Sequence, residues 1–314
     1  MTVVPNDLTL RPISGPEELD LFNRLPYQSN VELADDLAAG RRRAEWMWVA
    51  LRDGRLVARA AWWARPRGDV PYVLDVFDID DGTPDRLDAG VRLLRTAMAE
   101  VIAPGSTPPY YIRFAVPDWR GNPARRRPVE ERLAALERAG ARLFVERLRL
   151  EWLSRTPVPE PSGRLLFRPA GDAGELIALM TEVLDGTLDA HSRDGLTRMS
   201  ARQAAAAQYE DELAGYQSPR DWWRIATLPD GEPVGFVIPA GNAYHPIIAY
   251  LGVRPAHRGN GYVDEVLAEG TRVLAAEGVS RIRASTDLGN VPMARAFGRA
   301  GYTAFEHQID MTWS

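Results

Sequence analysis

Cysteine and lysine are both absent from the 314 residues, and histidine occurs only four times. Without cysteine there is no disulfide framework, thiol nucleophile or zinc-thiolate site. Without lysine every basic side chain is an arginine, which excludes a Schiff-base or self-acylated lysine. No apolar run is long enough to span a bilayer, and Met1–Asp7 shows no basic region followed by a hydrophobic one. A soluble, cytoplasmic protein with no membrane partner is expected. No spaced set of histidines and carboxylates suggests a metal, so none is expected. A net charge of −5 argues against nucleic acid as a partner. The basic runs Arg41–Arg43 and Arg125–Arg127 lack interleaved aromatics and read as solvated faces.

What is present is ordinary globular material, 45% hydrophobic and 26% charged, in a length that suits about two domains. A degenerate internal repeat supports that count. Leu10-Arg11-Pro12 with Glu18-Leu19 recurs as Phe167-Arg168-Pro169 with Glu175-Leu176, at a common offset of 157 residues. Asp53-Gly54 and Asp230-Gly231 each separate two apolar segments and read as hairpin turns. Ala139-Gly140 with Phe144 and Trp152 answers to Ala300-Gly301 with Phe305 and Trp313. Each copy reads strand, helices, hairpin, long strand, helix, strand, helix, strand. Between them Ser154–Gly163 holds three prolines and no apolar periodicity, and reads as an extended linker.

The most informative stretch is Tyr250–Val263. An apolar run (Ile247, Ile248, Tyr250, Leu251, Val253) predicts a buried strand, and Val263, Val266, Leu267, Val273 and Leu274 predict a helix. The loop between them carries Gly259 and Gly261. Glycines there let backbone N–H groups converge on a phosphate at the positive end of the helix, although an ordinary strand-to-helix turn has the same outline. Ile282–Thr286 predicts the next strand, and Asn290–Tyr302 follows it.

Arg258-Gly259-Asn260-Gly261-Tyr262-Val263 resembles the pyrophosphate-binding signature of the GNAT superfamily of acyl-CoA-dependent N-acyltransferases, Gln/Arg-x-x-Gly-x-Gly/Ala, with Val263 in place of the final small residue. Asn290 to Tyr302 is similar to the family's Asn-x-x-Ala-x-x-x-Tyr-x-x-x-Gly-Phe. The resemblance covers Ile247–Trp313 by motif and most of the chain by architecture. It implies an α/β (α+β) fold of two tandem GNAT-like domains. Each has a mixed, mostly antiparallel central sheet flanked by helices, with strands splayed at the CoA site. Residues 1–155 form a degenerate copy without CoA, and 156–314 a copy that binds acetyl-CoA. The implied activity is N-acetyl transfer to a small amine-bearing acceptor through a tetrahedral intermediate. In this reading Leu251 and Val253 pair with the pantetheine arm and polarise the thioester. Arg258, Gly259, Asn260, Gly261, Tyr262 and Val263 anchor the pyrophosphate. Asn290 orients the cofactor or a water near it.

The first copy lacks the Arg-x-x-Gly loop and carries Asp78, Asp80, Asp81 and Asp85 there instead. Like charges so placed repel a pyrophosphate. The second copy is longer by 20 residues within Leu184–Trp223. That insertion holds Asp185, Asp189, His191, Asp194, Tyr209-Glu210-Asp211-Glu212 and Trp222-Trp223. It reads either as an acidic, aromatic-lined acceptor pocket or as an amphipathic surface helix with a core tryptophan. His245 and Tyr250 are the candidate proton acceptors, alongside a carboxylate reached through water. Where the family has a tyrosine that reprotonates the departing thiolate, this chain has Phe297, which cannot donate a proton but whose ring can pack against the bound thioester; slow transfer, or another acid such as Tyr250 or Tyr262, is an alternative. A non-catalytic acyl-CoA-binding module is therefore the second reading.

Overall fold

The computed structural model of the chain describes residues 8–65 and 68–314; the absence of a leader pattern in Met1–Asp7 concerns a stretch outside them. The chain divides into two compact units, one of Met1–Val145 with Gln308–Ser314 and one of Glu146–His307.

The first unit contains β1 (Leu8–Pro12), α1 (Leu19–Phe22), α2 (Leu33–Ala38), β2 (Met47–Arg52), β3 (Arg55–Trp63), β4 (Val73–Ile79), α3 (Arg86–Val101), β5 (Tyr111–Ala115), α4 (Pro123–Arg138) and the start of β6 (Arg142–Leu153). Its strand order is β1-β2-β3-β4-β5. β1 to β4 pair antiparallel, and β4 and β5 are parallel, joined at a single pair, Leu74 with Tyr111. Asp53 and Gly54 both have positive φ, 50° and 73°, as a two-residue turn between twisted strands requires. Trp62, Phe77, Tyr111, Leu93 and Leu94 fill the core between sheet and α3.

The second unit contains β7 (Leu166–Pro169), α5 (Ala173–Val183), α6 (Ala190–Leu196), α7 (Ala201–Asp211), β8 (Arg224–Thr227), β9 (Pro233–Gly241), β10 (Pro246–Val253), α8 (Tyr262–Ala276), β11 (Arg281–Asp287), α9 (Val291–Arg299) and most of β12 (Thr303–Thr312). The order β7-β8-β9-β10-β11 repeats that of the first unit, and β10 and β11 are again parallel with one pair, Ile247 with Arg283. α5 and α7 pack with Trp223, Phe236 and Ile238 against one face of this sheet. The other face packs Ile248, Val253, Ile282 and Ala284 with Val266, Leu267 and Leu274 of α8 and Phe297 of α9. The expected class, a mixed sheet flanked by helices and occurring twice, is what the chain adopts.

The compact units do not part at the proline-rich segment. From Arg147 to Leu153, β6 pairs antiparallel with β11 of the second unit, while Gln308–Ser314 returns to the first. Ile309 and Met311 bury there beside Ala115 and Ala135. The division 1–155 and 156–314 follows the repeat in sequence. Spatial compactness instead follows strand pairing, which neither composition nor the linker betrays. Ser154–Gly163 opens in a turn, contains no helix or strand, and lies on α8, where Arg272 donates to Pro159 O at 2.8 Å and Ser162 to Glu265 at 2.5 Å.

Two charge readings change. Arg125–Arg127 is a solvated face with ion pairs to Asp118, Glu130 and Glu131. Arg42, by contrast, is buried and held by Asp36 and by both oxygens of Asp75. The aspartates after β4 are not a repelling cluster, because each has an arginine: Asp80 pairs with Arg55, Asp81 with Arg132 and Asp85 with Arg52. Asp78, 1% exposed, receives Arg59 at 3.0 Å, Arg113 at 3.1 Å and Arg132 at 3.1 Å. Burial alone would raise its pKa, but the arginines outweigh it and hold the carboxyl below its usual range. Asp78→Asn would leave three interior guanidinium groups without their shared counter-charge. Chemical denaturation should show a loss of about 3–5 kcal/mol; a loss below about 1 kcal/mol would mean the network carries no net weight.

Candidate active site

The site is assembled at the C-terminal end of β10. After Val253 the chain makes one turn of 3-10 helix, Pro255–His257, and then the loop Arg258–Gly261 opens α8. Gly259 and Gly261 have φ of 83° and 77°. In that left-handed region a side chain is strained, so the glycines are what let Asn260 be flanked by two reversals of the backbone. Among the described residues, none accepts a hydrogen bond from the N–H groups of Gly259, Asn260, Gly261, Tyr262 or Val263. Five donors at a helix N-terminus form an anion cradle.

Side chains fix that loop from behind. Arg258 donates through Nε to Val253 O at 3.1 Å, through Nη1 to Asp185 O at 2.6 Å and through Nη2 to Val183 O at 2.8 Å. Its guanidinium thus braces the loop against the end of α5 and is directed at carbonyls. Asn260 Nδ2 donates to His257 O at 3.1 Å. Arg164, which no sequence motif marked, donates to Asn260 O at 3.0 Å and lies 5.1 Å from the Tyr262 ring.

The splay beside the loop has a local cause. The β9–β10 register shifts between Ile248 and Tyr250, so Ala249 is a bulge, and pairing with β11 ends at Ile247. Arg254 N–H donates to Val234 O on the β9 side. Strand alternation then turns the backbone groups of Leu251 and Val253 away from β9, towards the opening beside β11. Val253 O is taken by Arg258, whereas no side chain among the described residues bonds to the backbone of Leu251.

The first unit repeats the bulge and closes the opening. Its shift lies at Asp75, and Asp80 N–H donates to Val57 O, so Phe77 and Ile79 face β5 as Leu251 and Val253 face β11. Arg113 donates to Phe77 O at 3.1 Å and Arg132 to Ile79 O at 2.9 Å. Asp80 meanwhile accepts from Gly82 N–H at 3.1 Å and Thr83 Oγ1 at 3.0 Å, placing a carboxylate where the second unit leaves free donors.

Tyr250 packs edge-on to Phe236 on the face covered by α5 and α7. Burial, followed by Asp189, raises its pKa above the usual tyrosine value, so the phenol stays protonated. His245 stands at the start of β10, beside the apex of the splay. Arg283 donates to its Nε2 at 2.7 Å, so that nitrogen's lone pair is occupied. Burial and then Arg283, Arg281 and Arg149 lower its pKa, leaving it neutral. Asn290 is the N-cap of α9, accepting from Met293 N–H at 3.3 Å. Phe297 is 1% exposed and packs edge-on to Tyr302 at 5.1 Å.

Sequence reasoning named Asp189 but missed Asp287 and their common partner at the far rim, Arg147. Asp287 ends β11 and accepts from Ala190 N–H at 2.6 Å, and its other oxygen lies 3.1 Å from Arg147 Nε. Asp189 caps α6 through Ser192 N–H at 2.8 Å and lies 3.6 Å from Arg147. Burial raises the Asp287 pKa and the nearby Asp189 adds to it, whereas for Asp189 the pull of Arg147 and Ser192 overrides burial and lowers it. Within the insertion, Trp223 and Tyr209 are core residues in edge-to-face contact, and Asp194 pairs with Arg198. Of the insertion's aspartates, Asp189 stands beside Asp287 and Arg147.

Among the described residues no three metal-ligating side chains converge, and no helix is long and apolar enough to cross a membrane. Residues 184–302 match the Acetyltransferase (GNAT) family, which supports acyl-CoA-dependent acyl transfer in general. No curated protein matches the chain. A GCN5-related N-acetyltransferase from Sphaerobacter thermophilus superposes with a TM-score of 0.62 at 17% identity, over 99% of this chain and 96% of that one. A tandem GNAT protein from the clavulanic acid biosynthesis pathway does so with a TM-score of 0.54 at 17% identity, over 98% of each chain. At these identities the likeness speaks to the fold. The second copy thus resembles the GNAT family by sequence over residues 184–302, and the chain as a whole shares its fold with solved GNAT proteins, one of them tandem.

Proposed function

We propose that the second copy is an acetyl-CoA-dependent N-acetyltransferase for a small amine-bearing acceptor and that the first copy is structural. The observation that carries this reading is the conjunction of five unused N–H donors on the Gly259–Gly261 loop with the unpaired strand edge at Leu251. A pyrophosphate and a pantetheine amide chain need those two things side by side. Acetyl-CoA supplies the activated acyl group; the chain holds it and manages protons. The N–H groups of Gly259 to Val263 hold the pyrophosphate, with Arg258, Asn260 and Arg164 keeping the loop in shape. Leu251 and Val253 orient the arm and offer an N–H to the thioester carbonyl. Asn290 holds the start of α9 in position beside it.

The acceptor enters as an ammonium and must lose a proton before attack. Asp287, with its raised pKa, is suited to take that proton, directly or through water, and Asp189 stays ionised beside it to attract the cation. The amine nitrogen then bonds to the acyl carbon as the carbon–sulfur bond breaks. Tyr250, protonated, is the donor for the departing thiolate in place of the missing family tyrosine. Tyr250→Phe should lower the turnover of acetyl-CoA by 10²-fold or more if thiolate departure limits the rate, measured as thiol release. A change under about threefold would mean the thiolate leaves unprotonated.

The second reading, an acyl-CoA-binding module without transfer, is favoured by the interior position of Phe297. Thiol release from acetyl-CoA with a broad amine panel separates the two. No release above hydrolysis with any amine would leave only the binding module.

Two binding measurements test the site itself. Calorimetry should find one CoA per chain, because Arg113, Arg132 and Asp80 already fill the first copy's opening. Two equivalent sites would overturn its structural role. Gly261→Asp puts a charge and a Cβ into the cradle and should weaken CoA binding by about 1–3 kcal/mol or more with little loss of fold. Unchanged affinity would put the pyrophosphate elsewhere.

A further inference from the structure

The proline-rich segment between the two copies ends beside the anion cradle. Arg272 donates to Pro159 O at 2.8 Å and Ser162 Oγ to Glu265 at 2.5 Å, so the segment is tied down along α8. Arg164 comes next. Its backbone N–H donates to Ser162 Oγ at 3.2 Å, and its Nη2 pairs with Glu265 in the first turn of α8. The guanidinium lies 5.1 Å from the Tyr262 ring, and Nη1 donates to Asn260 O at 3.0 Å.

The cradle takes an anion only while the carbonyls of its loop point away from it. Asn260 Nδ2 holds His257 O at 3.1 Å and Arg258 O at 3.4 Å, and Asp264 N–H holds Gly261 O at 3.1 Å. Those bonds are made within the loop and its own helix. Of these four carbonyls, only Asn260 O is held by a residue from another segment. It is also the one best able to turn over. Gly261 sits at φ 77° and ψ 5°, the values that a type II turn gives its third residue. A type I turn gives that residue about −90° and 0°, and the two differ by rotation of the peptide just before it. Glycine takes either sign of φ, so the Asn260–Gly261 peptide stays in one orientation only if something holds it. Turned over, Asn260 O would point where Gly261 N–H points now. The cradle would lose a donor and gain an acceptor.

We propose that Arg164 is a positioning residue of the CoA site: by holding Asn260 O from outside the loop, it keeps the Gly261 N–H turned towards the pyrophosphate. The inference rests on the CoA site of the reading above and gives the segment between the copies a part in it, since Ser162 and Glu265 keep Arg164 aimed. The same guanidinium neutralises Glu265, whose charge in the first turn of α8 would oppose a phosphate. Two variants separate the brace from the charge.

Calorimetric titration with CoA reads the effect without turnover. Arg164→Met should weaken CoA binding about tenfold at a normal melting temperature, the scale of one charge-assisted hydrogen bond. Arg164→Met combined with Glu265→Gln should remain as weak, because the charge is then gone and the brace is still missing. Where an amine is turned over, KM for acetyl-CoA should rise by the same factor while kcat stays within about twofold. An affinity in Arg164→Met within about twofold of the wild type overturns the proposal. Recovery of affinity in the double variant overturns it too, since the whole effect would then belong to Glu265. Binding that weakens in both variants upholds the brace even where no amine accepts an acetyl group, an outcome that removes the transferase reading alone. No CoA binding by the wild-type protein overturns the site and the brace together.

Discussion

Two parallel strands that touch at one residue pair and then diverge leave a row of backbone donors and acceptors without strand partners. Everything particular to this protein follows from how that row is satisfied. Buried backbone groups must find partners somewhere, and each copy answers differently from the same starting geometry. In the first, Arg113 and Arg132 reach into the opening and bond to Phe77 O and Ile79 O. In the second, Arg258 takes Val253 O from the rim, and no side chain among the described residues bonds to the backbone of Leu251.

The plug in the first copy imposes a further requirement. Two arginines brought inside a domain need a counter-charge, and Asp78 supplies it while Arg59 completes the set. The strand position that holds Asp78 in the first copy holds Gly252 in the second, one residue from Val253. There a side chain would run into Val183, with contacts of 3.0 Å from an added Cβ. Opening and plug are thus alternatives written at a few positions, and the rest of the sheet tolerates either. The copies share strand order, bulge and single parallel contact, and differ in which side chains enter the gap.

Those differences explain what was legible in the sequence. The strand–loop–helix of Tyr250–Val263 was readable because it is local: apolar runs of two periods meeting at a Gly-x-Gly leave little choice. The tandem repeat was readable because hairpins and helix ends carry Asp-Gly and Ala-Gly marks at fixed offsets. The partnership of Asp78 with Arg113 and Arg132 was not, since they come from β4, β5 and α4 and no local pattern joins them. From the aspartates alone the stretch looked repulsive; with its arginines in place it is neutralised. The same holds for Asp287, which meets Arg147 across a strand pairing and Ala190 across nearly a hundred residues. The unit boundary was invisible for a related reason, because β6 and β12 each continue from one compact unit into the other without any change in their own sequence character.

The missing lysine acquires a structural sense here. Arg258 spans three carbonyls from β10, α5 and the turn after it, and Arg132 engages Asp78, Asp81, Ile79 O and Pro128 O together. Only a planar group with five donors in fixed directions can satisfy so many acceptors from separate elements. A lysine ammonium offers three donors about one point and would leave some of those carbonyls unpaired, at about 1–3 kcal/mol each where they are buried. The arginine-only composition does not by itself specify this fold. It does make each basic residue able to act as a multi-point brace, and the plugged opening and the loop behind the anion cradle are two uses of that one ability. Both direct their donors inward, at the chain's own carbonyls and carboxylates.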